Sequence, residues 1–195
     1  MAVNPDMPTL YAGLLIGGTS RRMGKPKQLL AYEGVTFVER VLAAVAPHVS
    51  RTVLLGDGSV PQSCSELLRI SDVPESRGPL AGMLAALRWA PDGAWLMAAC
   101  DLPLVSSEAV CWLLEQRSPG RWAVVPKNTD GRPEPLLAVY EPAARRLLED
   151  LMARGLHAPR HLAGYREVHS TTVPEHLAPA WRSVNTPTEL DGLCH

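Results

Sequence analysis

Leu14-Leu15-Ile16 runs straight into Gly17-Gly18, and a basic loop follows with Arg21, Arg22, Lys25 and Lys27 set around Gly24 and Pro26. An apolar run that stops at glycines reads as a buried strand ending in a tight turn. Glycine lets backbone N–H groups turn toward a ligand at close range. Four cations on one short loop suit an anion, most simply a phosphate. A surface turn with solvated charges is the plainer reading of the same residues. Whichever holds, a strand delivering a glycine turn fixes where the rest of the chain must assemble.

The remaining pattern alternates short apolar runs with segments of helical period. Phe37, Val38, Val41, Leu42 and Val45 predict a helix over 36–46 that Pro47 ends, and a short strand follows over 52–55. A weaker helix is expected over 62–68, then a polar loop over 73–78. Leu80, Met83, Leu84 and Leu87 predict a helix with Pro79 in its first turn, where a missing N–H does no harm. The apolar run 95–99 is a strand that delivers Cys100, Asp101 and Pro103. Ser106 can cap a helix carrying Val110 and Leu113, and strands are expected over 122–125 and 136–140. A helix over 144–152, a weak alternation over 168–173 and a last short helix capped by Thr186 or Thr188 complete the chain. Strands alternating with helices predict an α/β fold with a largely parallel sheet covered on both faces. Ligands in such sheets sit beyond the carboxyl ends of the strands, where both the glycine turn and Asp101 fall.

At 195 residues the simplest organisation is one domain over 1–195, with ample chain to bury a core. The formal net charge is −1, so the basic loop is a local feature in a neutral chain, which favours a small charged ligand over nucleic acid or a membrane. Cys64, Cys100, Cys111 and Cys194 are scattered, and Cys100 and Cys111 stand in apolar contexts that suit buried thiols in a reducing cytosol. No signal-peptide pattern and no run near ~20 apolar residues is present, so a cytoplasmic location is expected.

The common nucleotide motifs fail here. GxGxxG spacing is absent, and Gly18 to Lys25 misses the P-loop by one residue, with Pro26 where Ser or Thr belongs. Asp101 follows an apolar strand and suits Mg²⁺ as a hard oxygen donor, although a helix cap or turn explains it equally. Asp72 is a second carboxylate at the same edge or simply a turn residue before Pro74. Arg77-Gly78 ahead of Pro79 is an anion-binding helix start or a plain one. His157 and His161 have Pro159 between them and no accompanying acid, which favours solvated surface histidines over a zinc site. Together Gly17, Gly18, Arg22, Lys27 and Asp101 suit attack on the α-phosphorus of a nucleoside triphosphate, where fixed cations and a metal stabilise the charge that develops.

Five ordered motifs now carry a resemblance. LxGGxSxRMGxxK at Leu15 to Lys27, GPLAGM at Gly78 to Met83, CDLPLV at Cys100 to Val105, RPEPLLAVY at Arg132 to Tyr140 and VNTPTEL at Val184 to Leu190 are similar to those of the MobA-like nucleotidyltransferases. The resemblance covers nearly the whole chain and implies a three-layer α/β/α, Rossmann-like fold. It is strongest to the branch that transfers GMP from GTP to the terminal phosphate of Mo-molybdopterin and releases pyrophosphate. By motif, Leu15, Ile16, Gly17, Gly18, Lys27 and Asp72 would bind the nucleotide. Lys27, Arg22 and Asp101 would act in catalysis, Asp101 holding Mg²⁺, and Asn185 would face the pterin. Cofactor hand-over in such a reaction implies transient contact with molybdenum-insertion and molybdoenzyme partners, and a monomer is expected. Two departures bear on the base: Leu55-Gly56-Asp57 lacks the family's usual asparagine, and Ile16 replaces its commoner alanine. The cytidylyl branch of the family tends to read AAG and DQP where this chain has Ile16-Gly17-Gly18 and Asp101-Leu102-Pro103. A nucleotide sensor that kept the fold and lost catalysis is the alternative outside enzymes.

Overall fold

A computed structural model describes residues 7–17 and 26–193. Its elements in chain order are β1 (Leu10–Leu15), the small hairpin β2 (Ala31–Tyr32) and β3 (Val35–Thr36), α1 (Phe37–Val45), β4 (Arg51–Leu55), β5 (Leu68–Ile70), α2 (Pro79–Trp89), β6 (Ala94–Ala99), α3 (Ser107–Glu115), β7 (Ala123–Val124), β8 (Leu137–Tyr140), α4 (Ala144–Ala153), β9 (Val168–His169) and α5 (Pro187–Asp191). Seven strands form one sheet in the order β5-β4-β1-β6-β8-β7-β9. β5, β4, β1 and β6 run parallel, while β8 is antiparallel to both β6 and β7. The expected mostly parallel α/β/α architecture is therefore present.

Strand alternation sorts the side chains of β1 between two cores. Ala12 and Leu14 face the layer built on Val38, Val41 and Val45 of α1 and on Val110 and Leu113 of α3. Leu15 faces the other layer, with Val53 and Leu55 of β4 and the apolar sides of α2 and α4. β6 is buried along its whole length, as a central strand covered on both faces must be.

Local chemistry sets the helix starts. The Thr36 hydroxyl accepts from the Glu39 N–H while the Glu39 carboxylate accepts from the Thr36 N–H, a reciprocal cap that fixes the first residue of α1. Ser106 caps α3 through its hydroxyl to the Ala109 N–H at 3.2 Å. Two expectations fail. Over 62–68 there is only a 3-10 turn at Gln62–Cys64, followed by β5. Pro61 opens that turn and the Ser65 hydroxyl returns to the Gln62 carbonyl at 2.8 Å, so a serine side chain competes with helix propagation. Cys111 is only half-buried, with its sulfur 3.7 Å from His48 Nδ1, while Cys64 and Cys100 are buried.

Candidate functional site

Because β5, β4, β1 and β6 are parallel, their carboxyl ends share one edge of the sheet. That edge collects Gly17, the Gly56–Gly58 turn, Asp72, the start of α2 and Asp101. The Cys100 N–H donates to the Leu15 carbonyl at 3.2 Å, so the exits of β1 and β6 are locked side by side. The Val184 N–H donates to the Asp101 carbonyl at 2.9 Å, which draws the VNTP segment over the same place.

Three side chains from widely separated parts of the chain meet there. Lys27 Nζ donates to Asp101 Oδ2 at 2.9 Å and also to Asn185 Oδ1 in a short contact. The Lys27 and Asp101 side chains are 22% and 19% exposed, so the pair is partly desolvated and still reachable from solvent. Asn185 is held from several sides. Its Nδ2 donates to Ser183 Oγ at 3.0 Å, and its backbone N–H donates to Glu189 Oε2 at 2.6 Å. Glu189 also accepts from the Thr186 N–H, while the Thr186 hydroxyl accepts from the Glu189 N–H. The cap of α5 thus doubles as the clamp that orients Asn185.

A second cluster lies beside Gly17. Gly56 has φ +94°, a conformation that favours glycine, and a Cβ there would stand 3.4 Å from Gly17 Cα and 3.5 Å from Asp72 Oδ1. A Cβ on Gly82 would lie 3.1 Å from both Asp72 Oδ1 and Leu15 Cδ2. Asp72 is exposed as a residue, yet its carboxylate is tucked among these glycines. Partial burial first, and the Asp57 carboxylate second, push its pKa above the ordinary carboxylate value. Arg69 Nη1 donates to the carbonyls of Gly56 and Gly58 at 3.1 and 2.8 Å and pins the turn. Burial and the adjacent Asp101 push the Cys100 thiol up to about 12, so Cys100 is a structural thiol rather than a nucleophile.

Of the residues singled out in the sequence, Lys27, Asp101 and Asn185 touch, and Asp72 lies against Gly17. Leu15 and Ile16 are buried and serve through their backbones: the Leu15 carbonyl accepts from Cys100, and the Ile16 N–H donates to the Leu55 carbonyl at 3.1 Å. Gly18 and Arg22 lie outside the described residues. His157 and His161 are not on a regular helix, since 159–164 form a 3-10 segment, but they line one cleft together. A metal ion fits the Lys27 cluster by the chemistry of its donors. Among the described residues no three His, Cys, Asp or Glu side chains gather, and a single carboxylate holds a divalent cation where waters and ligand oxygens complete its shell.

The profile of the MobA-like NTP transferase domain matches residues 12–170, most of the chain and all four strands that build the site. The chain belongs to the MobA-like NTP transferase family. This MobA-like chain is 35% identical over 136 residues to a probable molybdenum cofactor guanylyltransferase of Bacillus anthracis, a match covering 67% of the chain and 68% of the relative. It is 36% identical over 153 residues to a molybdenum cofactor biosynthesis bifunctional protein of Synechocystis, covering 77% of the chain and 44% of that longer protein. The solved molybdopterin-guanine dinucleotide biosynthesis protein A of Archaeoglobus fulgidus superposes with a TM-score of 0.73 at 28% identity, over 94% of this chain and 98% of that one.

Sequence reasoning on this MobA-like chain missed three supports of the site: Ser183, Glu189 and Gln28. Glu189 carries a legible signal, Thr-x-x-Glu ahead of a helix, once Thr186 is taken as the cap. Gln28 is a buried polar residue whose Nε2 lies near Gly58, and nothing in its local sequence announces that. Among the described residues no helix is long and apolar enough to cross a membrane.

Proposed function

We propose that this protein is a molybdenum cofactor guanylyltransferase, joining GMP from GTP to the terminal phosphate of molybdopterin. The observation that carries the reading is the meeting of Lys27 with Asp101 and Asn185 at the carboxyl edge of the parallel strands. The similarity to named guanylyltransferases supports it. So does the sequence Ile16-Gly17-Gly18 with Asp101-Leu102-Pro103, which departs from the cytidylyl pattern.

Nucleotidyl transfer forms a bond from an acceptor phosphate oxygen to the α-phosphorus and breaks the bond to the bridging oxygen, which leaves on pyrophosphate. Negative charge builds at phosphorus and on the leaving group. Lys27 sets its ammonium at that centre, and Asp101 and Asn185 fix the direction of its N–H bonds. Preorganised donors of this kind do not have to reorient as the charge develops, which is the source of their effect. Arg22, five residues before Lys27 in the sequence, is the second cation of the proposal. Asp101 would hold Mg²⁺, which when bound supplies Lewis-acid neutralisation of phosphate charge. Gly17, Gly56 and Gly82 pack closely around the Asp72 carboxylate, and the nucleoside lies over this glycine-lined edge. On this reading the chain works as one cytoplasmic domain and as a monomer that passes its product to protein partners.

The test is a screen of GTP, CTP, ATP and UTP with Mg²⁺ and molybdopterin, read by pyrophosphate release. GTP alone is expected to support turnover, by at least about tenfold over the other three. Turnover with CTP and not GTP overturns the base assignment, and GTP binding without any product favours a sensor.

A further inference from the structure

A second group of reactive side chains, sharing no residue with the Lys27 cluster, gathers where α1 packs against α3. Ser107 is the first residue of α3 and Cys111 stands four residues on, so the two side chains share one face of the helix. Ala109, Val110 and Leu113 turn into the core, which leaves Ser107 exposed and Cys111 half-buried at the rim. His48 ends the short Ala46–His48 turn that follows α1 and brings its ring onto this face. Its Nε2 lies 2.7 Å from Ser107 Oγ, and its Nδ1 lies 3.7 Å from Cys111 Sγ. The ring therefore spans the two side chains and meets each with one nitrogen.

A thiol attacks as its thiolate, and an imidazole in hydrogen-bond contact assists it in either tautomer. With the ring proton on Nε2, that N–H donates to Ser107 Oγ and Nδ1 accepts the thiol proton. With the ring proton on Nδ1, the Ser107 hydroxyl donates to Nε2 and the Nδ1–H donates to the sulfur, where it stabilises negative charge. A nucleophile, its base and a third group that orients the base form the arrangement of covalent catalysts. Cys64 and Cys100 differ. Both are buried, and burial pushes the Cys64 thiol up as it does that of Cys100. A half-buried thiol beside an imidazole is instead the setting of a cysteine that reacts.

We infer that Cys111 is a modification site for small disulfides, with His48 as its base and Ser107 as the residue that orients the ring. Cys111 Sγ attacks one sulfur of the incoming disulfide. A new S–S bond forms as the old one breaks, and the departing half leaves as a thiolate. The Cys111 proton passes to the His48 ring and from there to that thiolate. The Cys111 sulfur is oxidised by as much as the departing sulfur is reduced, so no further oxidant is needed. The half-buried sulfur admits a small disulfide more readily than one carried on a folded protein. No step of this exchange uses the nucleotide reaction.

The probe is hydroxyethyl disulfide, which is small and uncharged. The full chain is exposed to it at neutral pH, and tandem mass spectrometry follows the mixed disulfide at each cysteine over time. Cys111 is expected to take the adduct faster than Cys64 and Cys100, and dithiothreitol to remove it. His48→Gln keeps a polar side chain and removes the base, and is expected to slow the adduct at Cys111 by at least about tenfold. Ser107→Ala frees the ring and is expected to slow it by at least about threefold. Both variants should melt within about 4 °C of the parent, since neither touches the core. Ser107 is exposed, so Ser107→Ala decides the test if His48→Gln does not fold. The absence of an adduct at Cys111 overturns the site. So does a rate within twofold of the parent in folded His48→Gln, or in Ser107→Ala where that variant alone folds.

Discussion

Asp101→Asn is expected to lower turnover by about 10³-fold or more while the protein stays folded. The substitution keeps the shape of the side chain and removes its charge. Lys27 then keeps at best a neutral amide oxygen where a carboxylate oxygen stood at 2.9 Å, and the site loses the negative charge paired with that ammonium. Removing one preorganised electrostatic group from a reaction centre typically lowers the rate by 10²–10³-fold, and Asp101 serves two such functions, as the partner of Lys27 and as the metal ligand. Stability should change little. An ion pair about one fifth exposed on each side contributes no more than about 1 kcal/mol, and the backbone bond from Val184 to the Asp101 carbonyl survives. A chain of this length shifts Tm by roughly 2–4 °C per kcal/mol, so a melting curve within about 4 °C of the parent is expected beside the lost activity. Retained turnover would remove Asp101 from the reaction; a collapsed Tm would make it a structural residue.

Gly58→Ala is expected to give the largest structural effect of an alanine substitution at any described glycine. A Cβ at this position would lie 2.0 Å from the Ile16 carbonyl oxygen, 3.0 Å from its carbonyl carbon and 2.7 Å from Gln28 Nε2. The first two atoms are backbone at the exit of β1, one residue before Gly17, and cannot rotate away. Relief requires the Gly56–Gly58 turn to lift, which Arg69 opposes through its bonds to both glycine carbonyls. Overpacking of this severity costs about 3 kcal/mol, which in a chain of this length lowers Tm by roughly 6–12 °C. The displacement also moves the edge beside Gly17 where the nucleotide is proposed to bind, so GTP binding should weaken by at least tenfold in the molecules that remain folded. Gly164→Ala is the control: its added Cβ meets nothing within 4 Å, and its Tm should match the parent within about 2 °C. A Gly58→Ala protein as stable as the control would mean that this turn is not packed against the exit of β1.

These two residues mark how far the sequence could be read. The strands at the centre of the sheet were legible because they are buried on both faces and appear as apolar runs ended by Gly17 or by Asp101. β5 was not, because it is three residues long, lies at the sheet edge and leaves Leu68 38% exposed, so no periodicity distinguishes it. Lys27, Asp101 and Asn185 could each be chosen from their motifs, but their meeting depends on contacts across 74 and 158 residues of chain that no local pattern encodes. The Gly58 constraint belongs to the same class. The second glycine of Gly56-Asp57-Gly58 reads as a turn residue, and only the approach of the Ile16 carbonyl reveals that it is a packing position. The cleft beside α2 shows the converse. Pro159 correctly separates His157 from His161 on the chain, yet the 3-10 segment folds both back onto one surface.

The most direct measurement uses GTP labelled in turn at the α- and the γ-phosphorus, with molybdopterin as acceptor, and follows where each label goes. The α label should appear in the pterin product and the γ label in pyrophosphate, with one pyrophosphate released for each product formed. A γ label on the acceptor with GDP released, or an α label recovered only as free GMP, would contradict a centre in which Lys27 and Asp101 act on the α-phosphorus.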